Sequence, residues 1–141
     1  MLRSVDLKDY MLKDPATVKA DDSIYEAIHK ILMYKVSGIC VVGNANVLVG
    51  VLSEMDCLKA ILSSVYNDSS VDGSVSEYMT TDVISVKMND NIVDIASDML
   101  EHSHRRRPVI DEEGTLVGQV SCRRLLLAVK EFTGSIDSRE H

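Results

Sequence analysis

Leu48-Val49-Gly50-Val51-Leu52-Ser53 is answered later in the chain by Leu116-Val117-Gly118-Gln119-Val120-Ser121. Tyr10-Met11 returns as Tyr78-Met79, and Asp22-x-Ile24 as Asp90-x-Ile92. The offset is constant, since 118 − 50, 79 − 11 and 92 − 24 all give 68. Two uninterrupted copies of one supersecondary unit therefore lie in tandem. Such a unit cannot bury its apolar face alone, so the copies are expected to pack on each other. A ligand is expected in the cleft between them.

Around that phrase each copy has the same order. Ala16-Thr17-Val18 and Ile84-Ser85-Val86 are short extended pieces. Ile24, Ala27, Ile28, Ile31 and Leu32 form an apolar stripe at helical spacing, repeated by Ile92, Ile95, Ala96, Met99 and Leu100. Ser23 and Glu26 suit a capping box at the first stripe. Two strands then flank a turn: 39–42 and 47–52 around Gly43-Asn44-Ala45-Asn46, 108–110 and 115–120 around Asp111-Glu112-Glu113-Gly114. A second helix closes each copy, at about 54–65 and 122–132. The fold class is mixed α/β (α+β), as β-α-β-β-α twice. The organisation is repeat 1 over 1–66, a polar linker at 67–74, repeat 2 over 75–132 and a polar tail at 133–141.

The 141 residues are 45% hydrophobic, which suffices for a core, with no Trp and one Phe. The formal net charge of −7 argues against bulk affinity for nucleic acid or an anionic membrane. No apolar run reaches the roughly 18 residues that would span a bilayer. Met1-Leu2-Arg3-Ser4-Val5-Asp6 lacks the apolar stretch of a signal peptide, so a cytoplasmic location is expected. Cys40, Cys57 and Cys122 form no C-x-x-C pair and read as reduced thiols that pack as small hydrophobes. His102-x-His104 has no fitting partner for a metal, and His29 sits beside apolar helix positions, so no metal site is expected. No phosphate loop, nucleophile elbow or H-E-x-x-H occurs, and no catalytic residues are assigned.

The order of elements, with Gly50-Val51-Leu52-Ser53-Glu54-Met55-Asp56 at a strand-to-helix junction, resembles the CBS-domain family, named after cystathionine β-synthase. Arg107-Pro108-Val109-Ile110-Asp111 and Leu116-Val117-Gly118 support the resemblance, which covers about residues 5–131. Two tandem copies form a Bateman module with pseudo-two-fold packing. The resemblance implies a regulatory module, not an enzyme, with no required cofactor. It implies an adenosine nucleotide (AMP, ADP or ATP) in the cleft between repeats, with S-adenosylmethionine, NAD or cyclic di-AMP as alternatives. It also implies a homodimer and a protein target in trans. A ligand-free scaffold dimer is the competing reading.

Within that resemblance, Gly50, Ser53 and Asp56 match a motif whose Ser and Asp hold a ribose. A carboxylate can accept from two neighbouring hydroxyls. Ser53 and Asp56 equally suit a helix cap, and both readings stay open. Copy two has Gly118 and Ser121 but Arg124 in place of the aspartate. A guanidinium accepts nothing, so one nucleoside site per chain is expected. His104, Arg105 and Arg106 stand where the family contacts phosphate, and copy one has Ser37 and Gly38 opposite Arg105 and Arg106. Arg123 adds a further cation. Arginine forks suit phosphate oxygens, while a solvated basic patch paired with the chain's own carboxylates is the alternative. By family geometry the base lies near Val83 and Ile84, with Val51 lining the pocket. Ala60, Ile61, Val65, Leu126, Leu127 and Val129 crowd the closing helices and suggest a partner surface.

Overall fold

The computed structural model describes residues 6–67, 73–127 and 130. Most of the expected 67–74 linker and the whole 133–141 tail lie outside them, as does Val129. The chain folds as two compact units. One is Ala16–Val83, and the other joins the described residues of Met1–Pro15 to those of Ile84–His141.

In the first unit, β2 (Thr17–Lys19) runs parallel to β3 (Gly38–Val42), and β3 pairs antiparallel with β4 (Leu48–Ser53). Helix α1 (Ile24–Tyr34) connects β2 to β3, and α2 (Glu54–Tyr66) follows β4 without a loop. Ser23 starts α1, its hydroxyl accepting from Glu26 N–H at 3.1 Å. Lys35, in the left-handed region, ends it. Ile24, Ala27 and Ile31 are buried against Val18, Ile39, Val41 and Leu52. The stripe is narrower than its sequence suggests. Leu32 is exposed, and so is its counterpart Leu100 in copy two. Both lie beyond the face that a single sheet can cover. A short helix, α3 (Val75–Tyr78), completes the unit and contributes buried Val75.

The second unit repeats this plan. Helix α4 (Ile92–His102) buries Ile92, Ile95 and Met99. Strand β5 (Arg106–Ile110) pairs antiparallel with β6 (Leu116–Ser121), and residues 122–127 are helical after it. The expected extended piece at 84–86 reduces to one parallel bridge, Val86 to Val109. The outer position of this sheet is taken by β1 (Leu12–Lys13), antiparallel to β6.

That pairing crosses the repeats. Tyr10 and Met11 open copy one in sequence, yet they are buried with Leu7, Val86, Ile92 and Val109 of the copy-two unit. Tyr78 and Met79 open copy two but pack on the copy-one core. The contacts match position by position: Leu12 opposes Gln119, and Thr80 bridges Val51, with Val51 N–H donating to Thr80 O and Thr80 N–H to Val51 O at 2.9 Å each. Compact units and sequence repeats are thus out of phase by the opening segment of each copy. A repeat can show that two segments are alike but not which partner each one finds.

Gly50 and Gly118 permit the exchange. A Cβ on Gly50 would stand 2.8 Å from Thr80 O and 2.9 Å from Met79 Sδ. On Gly118 it would stand 2.8 Å from both Leu12 O and Met11 Sδ. Two corrections concern the closing helices. Ala60, expected on a partner surface, is buried in its own core, because it lies on the α2 face that meets β4 and α1. Cys122 is exposed instead of packed, while Cys40 and Cys57 are buried as expected.

Replacing Gly50 by Ala should lower stability by about 1–3 kcal/mol, because a backbone oxygen must move. Gly43→Ala, whose Cβ would meet only Val49 Cγ1 at 3.3 Å, should cost markedly less. Urea unfolding of the two variants against the wild type checks this, and a Gly50→Ala midpoint equal to wild type would contradict the close approach.

Candidate functional site

Strand β4 runs into α2 at Ser53, and this junction sets the geometry of the ribose motif. Ser53 is extended and caps the helix. Its hydroxyl accepts from Asp56 N–H at 3.1 Å, and Asp56 Oδ2 accepts from Ser53 N–H at 2.9 Å. The capping reading is therefore real, and it satisfies two otherwise orphaned donors. It engages only Oδ2 of a side chain that is otherwise buried. Among the described residues no donor is bonded to Oδ1.

Ser37 and Val51 converge on the same place. Gly38 is in register with Ser53, so Ser37 stands beside the start of α2, and its carbonyl accepts from Glu54 N–H at 3.0 Å. Val51 is half-buried one turn of strand earlier, bridged to Thr80. Val83 is half-buried, and Ile84 is exposed. Four expected residues (Ser37, Val51, Ser53, Asp56) are thus gathered around one junction in one unit.

Cys57 adjoins Asp56. Its burial, and then the carboxylates of Asp56 and Glu54, push the thiol above its ordinary range. A thiol held protonated is a poor nucleophile, which agrees with a packing role.

The pseudo-equivalent junction in the other unit is built differently. Cys122 N–H donates to Arg105 O at 2.9 Å, as Glu54 N–H does to Ser37 O. Arg124 N–H donates to Ser121 Oγ at 3.2 Å, so half of the cap survives without the aspartate. The Arg124 guanidinium instead donates to Met11 O at 3.4 Å, holding the exchanged segment. Arg105 and Arg123 are exposed, and Arg106 is half-buried.

The arginine run does not form one patch. Arg107 is 2% exposed and turns inward to an ion pair with Asp98 of α4. Its Nη2 lies 3.3 Å from His104 Nδ1. His104 thus spends one ring nitrogen inside the unit. Strand alternation explains the split, since neighbours in β5 face opposite sides. Sequence reasoning missed this cluster, although the repeat offset carries the signal: position 107 aligns with Ile39, which is buried. A cation at a core position calls for a partner.

A separate groove of about 620 Å³ in the copy-one unit is lined by Thr17, Lys19, Asp21, Lys30, Asn44 and Asn46, among others. It shares no residue with the junction. Lys30 is committed to Thr17 O at 2.8 Å, and the charges of Lys19 and Lys30 are balanced by Asp21 and Asp22. Among the described residues no group of three His, Cys, Asp or Glu side chains could hold a metal ion. Nor is any helix among them long and apolar enough to cross a membrane.

Comparisons with known proteins agree with this architecture. The CBS-domain family profile matches residues 7–63 and 75–131. An uncharacterized protein of Methanocaldococcus jannaschii is 30% identical over 82% of this chain, which spans 39% of that protein. Inosine-5′-monophosphate dehydrogenase of the same organism is 31% identical over 84% of the chain, which spans only 22% of the enzyme. Among solved structures, CBSX2, known from Arabidopsis thaliana and crystallised in complex with AMP, is 27% identical. The match covers 92% of this chain and 99% of that one, with a TM-score of 0.81. With both halves matched and the fold shared throughout, the chain belongs to the CBS-domain family as a tandem pair of CBS domains.

Proposed function

We propose that this CBS pair is a regulatory module that binds an adenosine nucleotide (AMP, ADP or ATP) and signals by a change of shape or of partner affinity. The observation that carries the reading is Asp56, a buried carboxylate whose cap uses Oδ2 alone. Oδ1 and the Ser53 hydroxyl hydrogen are then suited to ribose hydroxyls. Ser37, Val51, Val83 and Ile84 complete the nucleoside surroundings in this reading, and His104, Arg105, Arg106 and Arg123 supply the phosphate side. AMP bound to CBSX2, at 27% identity, supports an adenosyl ligand. No bond-making chemistry is assigned. A ligand shifts the equilibrium between two states only by its differential affinity for them.

Asp56→Asn separates the two jobs of the side chain. The amide oxygen can still accept from Ser53 N–H, while the NH₂ group cannot accept from a hydroxyl. Calorimetry should show nucleotide affinity falling by about 1.5–3 kcal/mol, with thermal stability close to wild type. An unchanged dissociation constant would remove the ribose role.

Arginine forks should make the module prefer charged nucleotides. AMP should bind about tenfold tighter than adenosine, or better, corresponding to about 1.4 kcal/mol. Combining Arg105→Ala with Arg106→Ala should erase most of that gap and leave adenosine binding nearly unchanged. Salt should narrow it too, because exposed charges are screened. If the double variant keeps the full preference, phosphate is read elsewhere or not at all.

A homodimer is the assembly we assign to this module. Met55, Leu58, Leu62 and Val65 recur every three or four residues along α2, and all are more than half exposed. Leu32 and Leu100 add the same exposed leucine in both copies. An apolar stripe of this length exceeds scattered surface hydrophobes and suits a second copy presenting the same face. Light scattering at tens of micromolar protein should give twice the chain mass, and Leu58→Asp with Leu62→Asp should halve it. A monomer mass for the wild type would exclude the dimer.

A further inference from the structure

Asp98, His102, His104 and Arg107 form a cluster in the copy-two unit, of which the nucleotide reading uses only His104. Arg107 has donors only, and its buried Nε has no hydrogen-bond partner. Its hold therefore rests on Asp98 and His104. Because a guanidinium cannot accept, His104 Nδ1, 3.3 Å from Arg107 Nη2, must be the acceptor. His104 in this arrangement is neutral and carries its hydrogen on Nε2. His102 is set the other way. Its Nδ1 lies 2.9 Å from the Asp98 carbonyl oxygen and 3.5 Å from Asp98 Oδ2. Both oxygens accept, so that nitrogen carries the hydrogen. The two rings stand 5.4 Å apart, and their partners call for opposite tautomers.

We propose that this cluster is a proton-responsive latch that fastens the start of β5 to α4, closed with neutral imidazoles and loosened when they are protonated. A proton on His104 replaces an acceptor by a donor facing a buried guanidinium. A proton on His102 strengthens its pull on Oδ2, the same oxygen that Arg107 uses. Both events add positive charge around a cation with almost no solvent.

The groups facing His104 are few. Asp98 and His102 come from α4, Arg107 from β5, and Cys122 from the following helix, its thiol donating to His104 O at 3.8 Å. Asp98 does not titrate in the same window. The hydrogen bond from Arg107, opposed by partial desolvation, holds its carboxyl below the usual carboxylate range. Its share of stability is present above the ordinary carboxylate pKa of about 3.9 and persists through the imidazole range. The His104 share has the opposite origin, since its neutral form is the one that fits. It is present while His104 Nδ1 accepts from Arg107 and is lost when a proton on that nitrogen removes the acceptor.

The test uses the full chain without nucleotide, so it stands or falls apart from the ligand reading. Side-chain ¹⁵N NMR at about pH 7.5 should show the Nε2–H tautomer for His104 and the Nδ1–H tautomer for His102. Between about pH 7.5 and 5.5 the wild-type unfolding constant should rise by about tenfold beyond that of His104→Gln. The glutamine oxygen can accept from Arg107 at every pH, and it does not titrate. His29→Gln, outside the cluster, should keep the wild-type profile. Two results would overturn the latch: a shared tautomer at His102 and His104, or a His104→Gln profile parallel to wild type. If that variant does not fold, the wild-type tautomers alone decide the question.

Discussion

The fold depends on a close approach between two backbones at positions that carry no Cβ. Thr80 O and Met79 Sδ occupy the space beside Gly50, and Leu12 O and Met11 Sδ the space beside Gly118. Any side chain there would push the opening segment of one copy off the strand of the other. With glycine in place, each unit gains an extra hydrogen-bonded edge and two large side chains for its core. The cost is the weaker strand propensity of glycine, a fraction of a kcal/mol to about 1 kcal/mol. Burial of a single methionine or leucine offsets that, at about 1.5–3 kcal/mol each. A cut between the sequence repeats would leave each repeat without the segment that completes its core. The tandem arrangement is thus a requirement of packing, beyond any benefit of having two copies.

Much of this was legible in the sequence because it is local and periodic. The helical stripes, the strand pairs with their turns and the cap at Ser53 each depend on residues a few positions apart. Those elements stand where the pattern puts them, to within a residue or two at most ends. What failed was the assignment of partners. Leu32 and Leu100 continue the stripe in one dimension but leave it in three, because a sheet covers a narrower arc than the spacing allows. Ala60 looked like surplus apolar content and is core. The strand at 12–13 and the short helix at 75–78 were not read at all. They are too brief to carry a period and exist because another segment pairs with or covers them.

The candidate site was legible in a different sense. Ser53-x-x-Asp56 supported a cap and a ligand contact, and sequence could not choose between them. The geometry shows the cap, and the proposed ribose contact is compatible with it. Closing the box takes one oxygen of a group that has two, so fold and recognition can share one side chain. This also explains the contrast with copy two. There Ser121 alone caps the helix through Arg124 N–H, and the side chain at the aspartate position is released to hold Met11 O. An acceptor has become a donor that ties down the exchanged segment.

The same trade governs the interior of the copy-two unit. Relative to copy one, Ile39 has become Arg107, Lys30 has become Asp98 and Val36 has become His104. Of these replacements the buried arginine is the one that is not tolerable alone. A buried arginine without a carboxylate leaves an uncompensated charge, a loss on the order of 3–5 kcal/mol. Asp98 supplies the counter-charge from one turn of α4, and His104 supplies a neutral acceptor from the loop before β5. An aliphatic residue at position 107 would pack as Ile39 does, with nothing to satisfy. What the polar version adds is sensitivity: its hold on β5 varies with the protonation of two imidazoles, whereas an isoleucine responds to nothing. The copies share one backbone plan, and their chemical individuality rests on a handful of co-located substitutions whose partners had to change together.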